Sequence, residues 1–143
     1  MQKQTLRIAF SGTRFKYFRN VTVGIWLVYD LVKQLLLNYM SNTEQVLVGH
    51  GGNPASVDAV VATVADELDL TTVCFAPKDW KSPRALLERN NMLAEWCDML
   101  VAIYVDRESP GTTYTLNRAK QLGKQVQVYY VDTIERKVKQ IKT

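Results

Sequence analysis

Residues 99–131, MLVAIYVDRESPGTTYTLNRAKQLGKQVQVYYV, hold a complete strand, loop, helix and strand. The run Met99–Val105 is apolar throughout, as expected of a strand covered on both faces rather than one. After it comes a Pro-Gly-Thr-Thr turn, then a helix running to Leu122 and stopped by Gly123, the usual residue just past a helix end. Residues 125–131, QVQVYYV, read as the next strand. Two strands joined through a helix of this length are parallel neighbours in one sheet.

The same alternation continues towards the N-terminus. TLRIAFS (5–11) is a strand ending at Gly12, and QVLVG (45–49) is a second that runs into GHGGNPASVD. TTVCFA (71–76) is a third, closed by Pro77. A helix from Asn20 to Tyr39 has Asn20 as its N-cap and an apolar stripe of Ile25, Val28, Val32, Leu35 and Tyr39. A second, Ala55 to Leu68, is marked by Val57, Val61, Val64 and Leu68. PRALLERNNMLAEWC (83–97) is a third, with proline in its first turn. The order predicts one α/β domain over residues 1–143, with a mostly parallel five-stranded sheet and helices on both faces. The end from Asp132 is either a short helix or an added antiparallel strand.

The composition, 47% hydrophobic and 22% charged, is that of a globular chain and argues against disorder. Cys74 and Cys97 sit in apolar elements without metal-type spacing, and read as reduced core residues of a cytoplasmic protein. With His50 the sole histidine, histidine metal clusters are excluded; no metal or resident cofactor is expected. The N-terminus carries no signal-peptide pattern. VTVGIWLVYDLVKQLLLNYM is interrupted by Asp30, Lys33 and Gln34, so it reads as a buried helix and not a membrane span. Trp26, Leu27, Leu31 and Leu37 lie outside its stripe, which predicts a homodimer or larger assembly through this helix. The net charge of +4 suits a protein that handles anions, although part of it lies in the tail ERKVKQIKT.

Ligands of open α/β sheets gather beyond the carboxyl ends of the strands. Those positions hold Ser11, Gly12, Thr13 and Arg14 after the first strand, and His50, Gly51, Gly52 and Asn53 after the second. Lys78, Asp79 and Trp80 follow the third, and residues 106–113, with Pro110, Gly111, Thr112 and Thr113, follow the fourth. Glycines admit an anion close to the backbone, and helix N-termini attract it. Arg14 and Arg89, with its neighbour Asn90, supply cations and a polar partner. Asp58 either complements its helix dipole, orients a ribose hydroxyl or braces the loop. Trp80 either stacks on a base or packs at a loop edge. His50 is a weak acid–base candidate. Neither glycine loop matches the Walker or dinucleotide patterns.

FSGTRF, HGG…VD, KDW, ERNNMLAEWCDMLVAIY and GTTYTLNRAKQLGKQV, in this order, resemble the SLOG superfamily, in particular its small stand-alone YspA-type branch. The resemblance spans about Leu6 to Val131 and implies a Rossmann-like three-layer sandwich that binds nucleotide-derived ligands. GGNPASVD departs from the family's second loop by about one residue. The related lonely-guy phosphoribohydrolases, and the nucleoside deoxyribosyltransferases that the last third also resembles, place a catalytic glutamate where this chain has Thr115. A threonine cannot supply that carboxylate, which favours binding over catalysis. The expected ligand is a nucleotide or ADP-ribose-type molecule, held as sensor, carrier or sink. The alternatives are N-glycosidic cleavage or deoxyribosyl transfer using Glu108 or Asp58, and DprA-like binding of single-stranded nucleic acid through the basic tail.

Overall fold

The computed structural model describes residues 5–142; residues 1–4 and 143 of the domain read from the sequence lie outside the described residues. The strands are β1 (Thr5–Gly12), β2 (Gln45–His50), β3 (Thr71–Cys74), β4 (Met99–Val105), β5 (Gln125–Asp132) and β6 (Lys137–Ile141). The helices are α1 (Val21–Asn42), α2 (Val57–Glu67), α3 (Pro83–Trp96) and α4 (Pro110–Gln121), with a 3-10 turn at Phe15–Tyr17. The sheet runs β3-β2-β1-β4-β5-β6, parallel except for β6. It therefore has six strands rather than five, and the tail is the antiparallel strand. Asp132 starts the reversal by accepting the N–H groups of Ile134 and Glu135 through Oδ1, each at 2.9 Å.

Strand alternation divides the core. Ile8, Phe10, Val101, Ile103 and Val131 face α1 and α2. Ala9, Leu100, Ala102, Tyr104 and Val128 face α3 and α4. β4 is buried at every residue, as its unbroken apolar run requires. Burying one such Val, Leu or Ile side chain contributes about 1.5–3 kcal/mol. The fully buried row of α1 is Gly24, Val28, Val32 and Leu36, one position along from the expected Leu35, which packs only partly. Asn20 caps α1 as expected, its side chain accepting the Val23 N–H at 3.1 Å. By length and hydropathy α1 would pass for a membrane span, yet it is one of the two helices covering this face of the sheet.

Two helix starts and the placement of one cysteine differ from expectation. α2 begins at Val57, because Ser56 is its cap and accepts the Asp58 N–H at 3.0 Å. The Pro-Gly-Thr segment is not a loop but the first turn of α4. Cys97 is buried and its thiol is pushed up to about 11 by that burial, but Cys74 ends the edge strand β3 and is exposed, not part of the core.

Asp106, with φ 64°, joins three segments beyond β4. Its carboxylate accepts the Arg19 N–H at 2.7 Å, the Thr133 N–H at 2.8 Å and the Thr133 hydroxyl at 2.7 Å. Burial opposes its ionised form, but bonds from Thr133 and Arg19 outweigh that and lower its pKa. Asn tolerates the left-handed backbone, so Asp106→Asn isolates the lost acceptor, with an expected cost of about 1–2 kcal/mol at neutral pH. A depressed carboxylate stabilises above its unfolded pKa and loses this as pH falls through the folded one. The wild-type advantage in chemical denaturation therefore persists at pH 7 and shrinks below about pH 4; an advantage that does not change with pH would contradict the assignment.

Candidate functional site

Strand order turns back at β1, and a cleft of about 270 Å³ opens beyond the carboxyl ends of β1 and β4. Of the residues anticipated, Ser11, Gly12, Arg14, Gly51, Asp58, Arg89, Asn90, Pro110, Gly111 and Thr112 line it. Four do not. Thr13 is fully buried and acts as a strut: its hydroxyl accepts the Val105 N–H at 3.0 Å. Gly52 takes φ 77° and makes the turn. Thr113 shares a hydrogen bond with the Tyr104 hydroxyl at 2.6 Å. Trp80 is 43% exposed, so it does not pack into the core; its ring centroid lies 5.5 Å from the Arg89 guanidinium carbon.

The loop after β1 is fastened to the loop after β2 like a short antiparallel ribbon. The Phe15 N–H donates to Ala55 at 2.8 Å and the Val57 N–H to Thr13 at 3.2 Å. This brings in residues that the sequence reading passed over, namely Tyr17 from the 3-10 turn and Ser56 from the α2 cap. Asn53 and Ser109 also line the cleft; both stood in loops already singled out by their position after a strand.

Arg89 reaches across from α3. Its Nη1 donates to the Gly51 carbonyl, and its Nε to Asn90 Oδ1 at 2.8 Å. A Cβ at Gly51 would collide with that guanidinium and come within 3.1 Å of Asp58 Oδ2, so a larger residue there would displace Arg89 from this position. Asp58 is 7% exposed and braces the loop, accepting the Asn53 N–H at 3.1 Å. Burial raises its pKa; the Asn53 N–H, Arg89, His50 and the Gly51 N–H pull the other way. Burial lowers the pKa of Arg89, with attraction from Asp58 opposing it and repulsion from Arg14 adding to it; the guanidinium stays a cation at neutral pH. His50 is held neutral by burial, and its Nδ1 accepts the Gly52 N–H at 3.0 Å, a structural use rather than acid–base chemistry at the cleft.

Opposite Arg89 stands the N-terminus of α4. Its cap residue, Ser109, makes no side-chain bond to the helix, whereas Asn20, Ser56 and Ser82 all cap theirs. Pro110 has no N–H and the Thr113 N–H is used by Ser109, which leaves the Gly111 and Thr112 N–H groups without helical acceptors. An anion placed there meets two N–H groups, the helix dipole and two arginines. Thr115, which the resemblance sets against the enzymes' glutamate, is fully buried and donates to the Gly111 carbonyl at 2.9 Å. Glu108 is exposed and outside the cleft lining.

No family model and no curated protein sequence matches the chain, so the SLOG resemblance rests on the motifs quoted above. Among solved structures, the molybdenum cofactor carrier protein MCP from Chlamydomonas reinhardtii is similar, at 21% identity and a TM-score of 0.64, over 89% of this chain and 76% of that one. The chain has that Rossmann-like α/β fold.

A Cβ at Gly111 would find a single neighbour, Asn90 Nδ2 at 3.9 Å, so it would project into the cleft. Gly111→Ala is therefore expected to leave the melting temperature unchanged or raised, by up to about 1 kcal/mol of added stability. For a phosphate-bearing ligand seated on this helix end, with AMP as the probe, the variant should bind roughly tenfold more weakly, about 1.4 kcal/mol. Equal affinity in the two proteins would mean that the anion does not sit on this helix end.

Proposed function

We propose that this protein is a binding module that holds a phosphate-bearing, nucleotide-type small molecule intact in the cleft, as carrier, sensor or sink. The observation that carries the reading is the unspent N-terminus of α4 facing Arg14 and Arg89 at the point where strand order reverses. The phosphate end belongs on Gly111 and Thr112, with the hydroxyls of Ser109 and Thr112 as donors, that of Thr112 steered by the Ser11 hydroxyl, which donates to Thr112 Oγ1 at 3.2 Å, and with Tyr17 at the cleft wall beside the remainder of the ligand. The similar solved structure is a carrier of a small molecule, which supports retention over turnover. Free Cys74 and Cys97 fit a reducing compartment, and a cytoplasmic location is part of the proposal.

The catalytic alternative keeps one candidate acid in the cleft, Asp58. Its Oδ2 is already engaged by the Asn53 N–H, and the charge of Arg89 acts on the same carboxylate. The nucleic-acid alternative draws on Lys137, Lys139 and Lys142, which lie on or beside the exposed edge strand β6 and line no part of the cleft.

Calorimetric titration with AMP, ADP and ADP-ribose tests the proposal. At least one should bind, with affinity lowered about tenfold or more by Arg14→Ala, an exposed residue whose loss leaves the fold intact. Nucleotide recovered unaltered after prolonged incubation completes the expected result. Release of free base would establish an enzyme instead, and wild-type affinity in Arg14→Ala would displace the site.

A further inference from the structure

We infer that α1 is the interface of a twofold symmetric dimer in which it packs antiparallel against α1 of a second copy. One face of α1 is turned away from the sheet. Opposite the buried row stand Thr22, Trp26, Asp30, Lys33, Leu37 and Ser41. Trp26 is 61% exposed and Leu37 is 46% exposed, and they stand at equal distances on either side of the charged pair Asp30 and Lys33. Positions 26, 30, 33 and 37 follow the four-three-four spacing of a coiled-coil seam, so they form one straight line along the helix.

The line is self-complementary. Turned end for end about the midpoint between residues 31 and 32, it sets Trp26 against Leu37 of the second copy and Asp30 against its Lys33. Thr22 falls against Ser41, small hydroxyl against small hydroxyl. A twofold axis repeats each pairing on the other side, which is the condition an isologous interface must meet. A lipid surface would meet the same apolar residues but would strand Asp30 and Lys33 at the centre of the stripe, where a second copy neutralises them. The central charges also set register, as polar residues within an apolar seam do. Trp26 is already braced edge-on by Tyr29, ring centroids 5.7 Å apart, so little side-chain freedom is lost on association. The pairing gives each of the two exposed apolar side chains of α1, Trp26 and Leu37, an apolar partner.

Sedimentation velocity at about 100 μM tests this, a concentration suited to the modest interface of one helix pair. The wild type should sediment as a dimer. Trp26→Ala, Asp30→Lys and Lys33→Asp should each raise the dimer dissociation constant about tenfold or more, since each change is made twice across the axis. An equimolar mixture of Asp30→Lys with Lys33→Asp should recover the dimer, because every introduced charge then faces its opposite. All three positions lie on the outer face, so melting curves should stay near wild type and report folded protein. A monomeric wild type would overturn the inference, as would a dimer indifferent to Asp30→Lys or a mixture that stays monomeric. Vesicle binding by a monomer would assign the face to lipid and overturn it too.

Discussion

Thr13 ties together the elements from which everything else is hung. Its N–H donates to Ile103 in β4 at 3.2 Å, its hydroxyl accepts from Val105 at 3.0 Å, and its carbonyl accepts from Val57 at the head of α2 at 3.2 Å. One buried residue thus locks the end of β1 to the end of β4 and to the start of α2. A buried donor left without its acceptor costs about 1–3 kcal/mol, so the three bonds hold this junction in one geometry. The cleft is the space that remains above the junction.

That rigidity determines what the cleft can do. Arg89 is held by the Gly51 carbonyl and by Asn90 before any ligand arrives, and Asp58 holds the same loop from the other side. A cation already in place, facing helix N–H groups that are not otherwise spent, binds an anion with little further ordering. Where the enzymes that the sequence resembles carry a glutamate, this chain has a threonine bonded back to its own helix, and Asp58 is occupied in bracing a loop.

Much of the fold was legible because burial leaves periodic traces. β4 is apolar at every residue and is covered on both faces; Asn20 was readable as a cap because its helix begins at once after it. β6 left no such trace, since all five of its residues are exposed and no face had to be apolar. For the same reason Cys74, on an edge strand, was misplaced in the core. At the site, position after a strand located most of the lining but could not separate lining from strut. Thr13 comes straight after β1 and Thr113 falls in the glycine segment after β4, and only three-dimensional neighbours reveal that their hydroxyls are held by Val105 and Tyr104 away from the cleft. Tyr17 enters through a single 3-10 turn brought in by backbone bonds to a distant loop, which no local pattern announces.

Retention of a phosphorylated molecule in the cleft, unbroken, is the property on which binding and catalysis part. Mass spectrometry of gently purified protein, first native and then after heat release, measures this directly. An intact phosphate-bearing small molecule, carried by the wild type and absent from Arg89→Ala protein that still melts cooperatively, is the predicted result. A free base with sugar phosphate, a covalent sugar adduct on the chain, or the same molecule bound equally by the variant would contradict it.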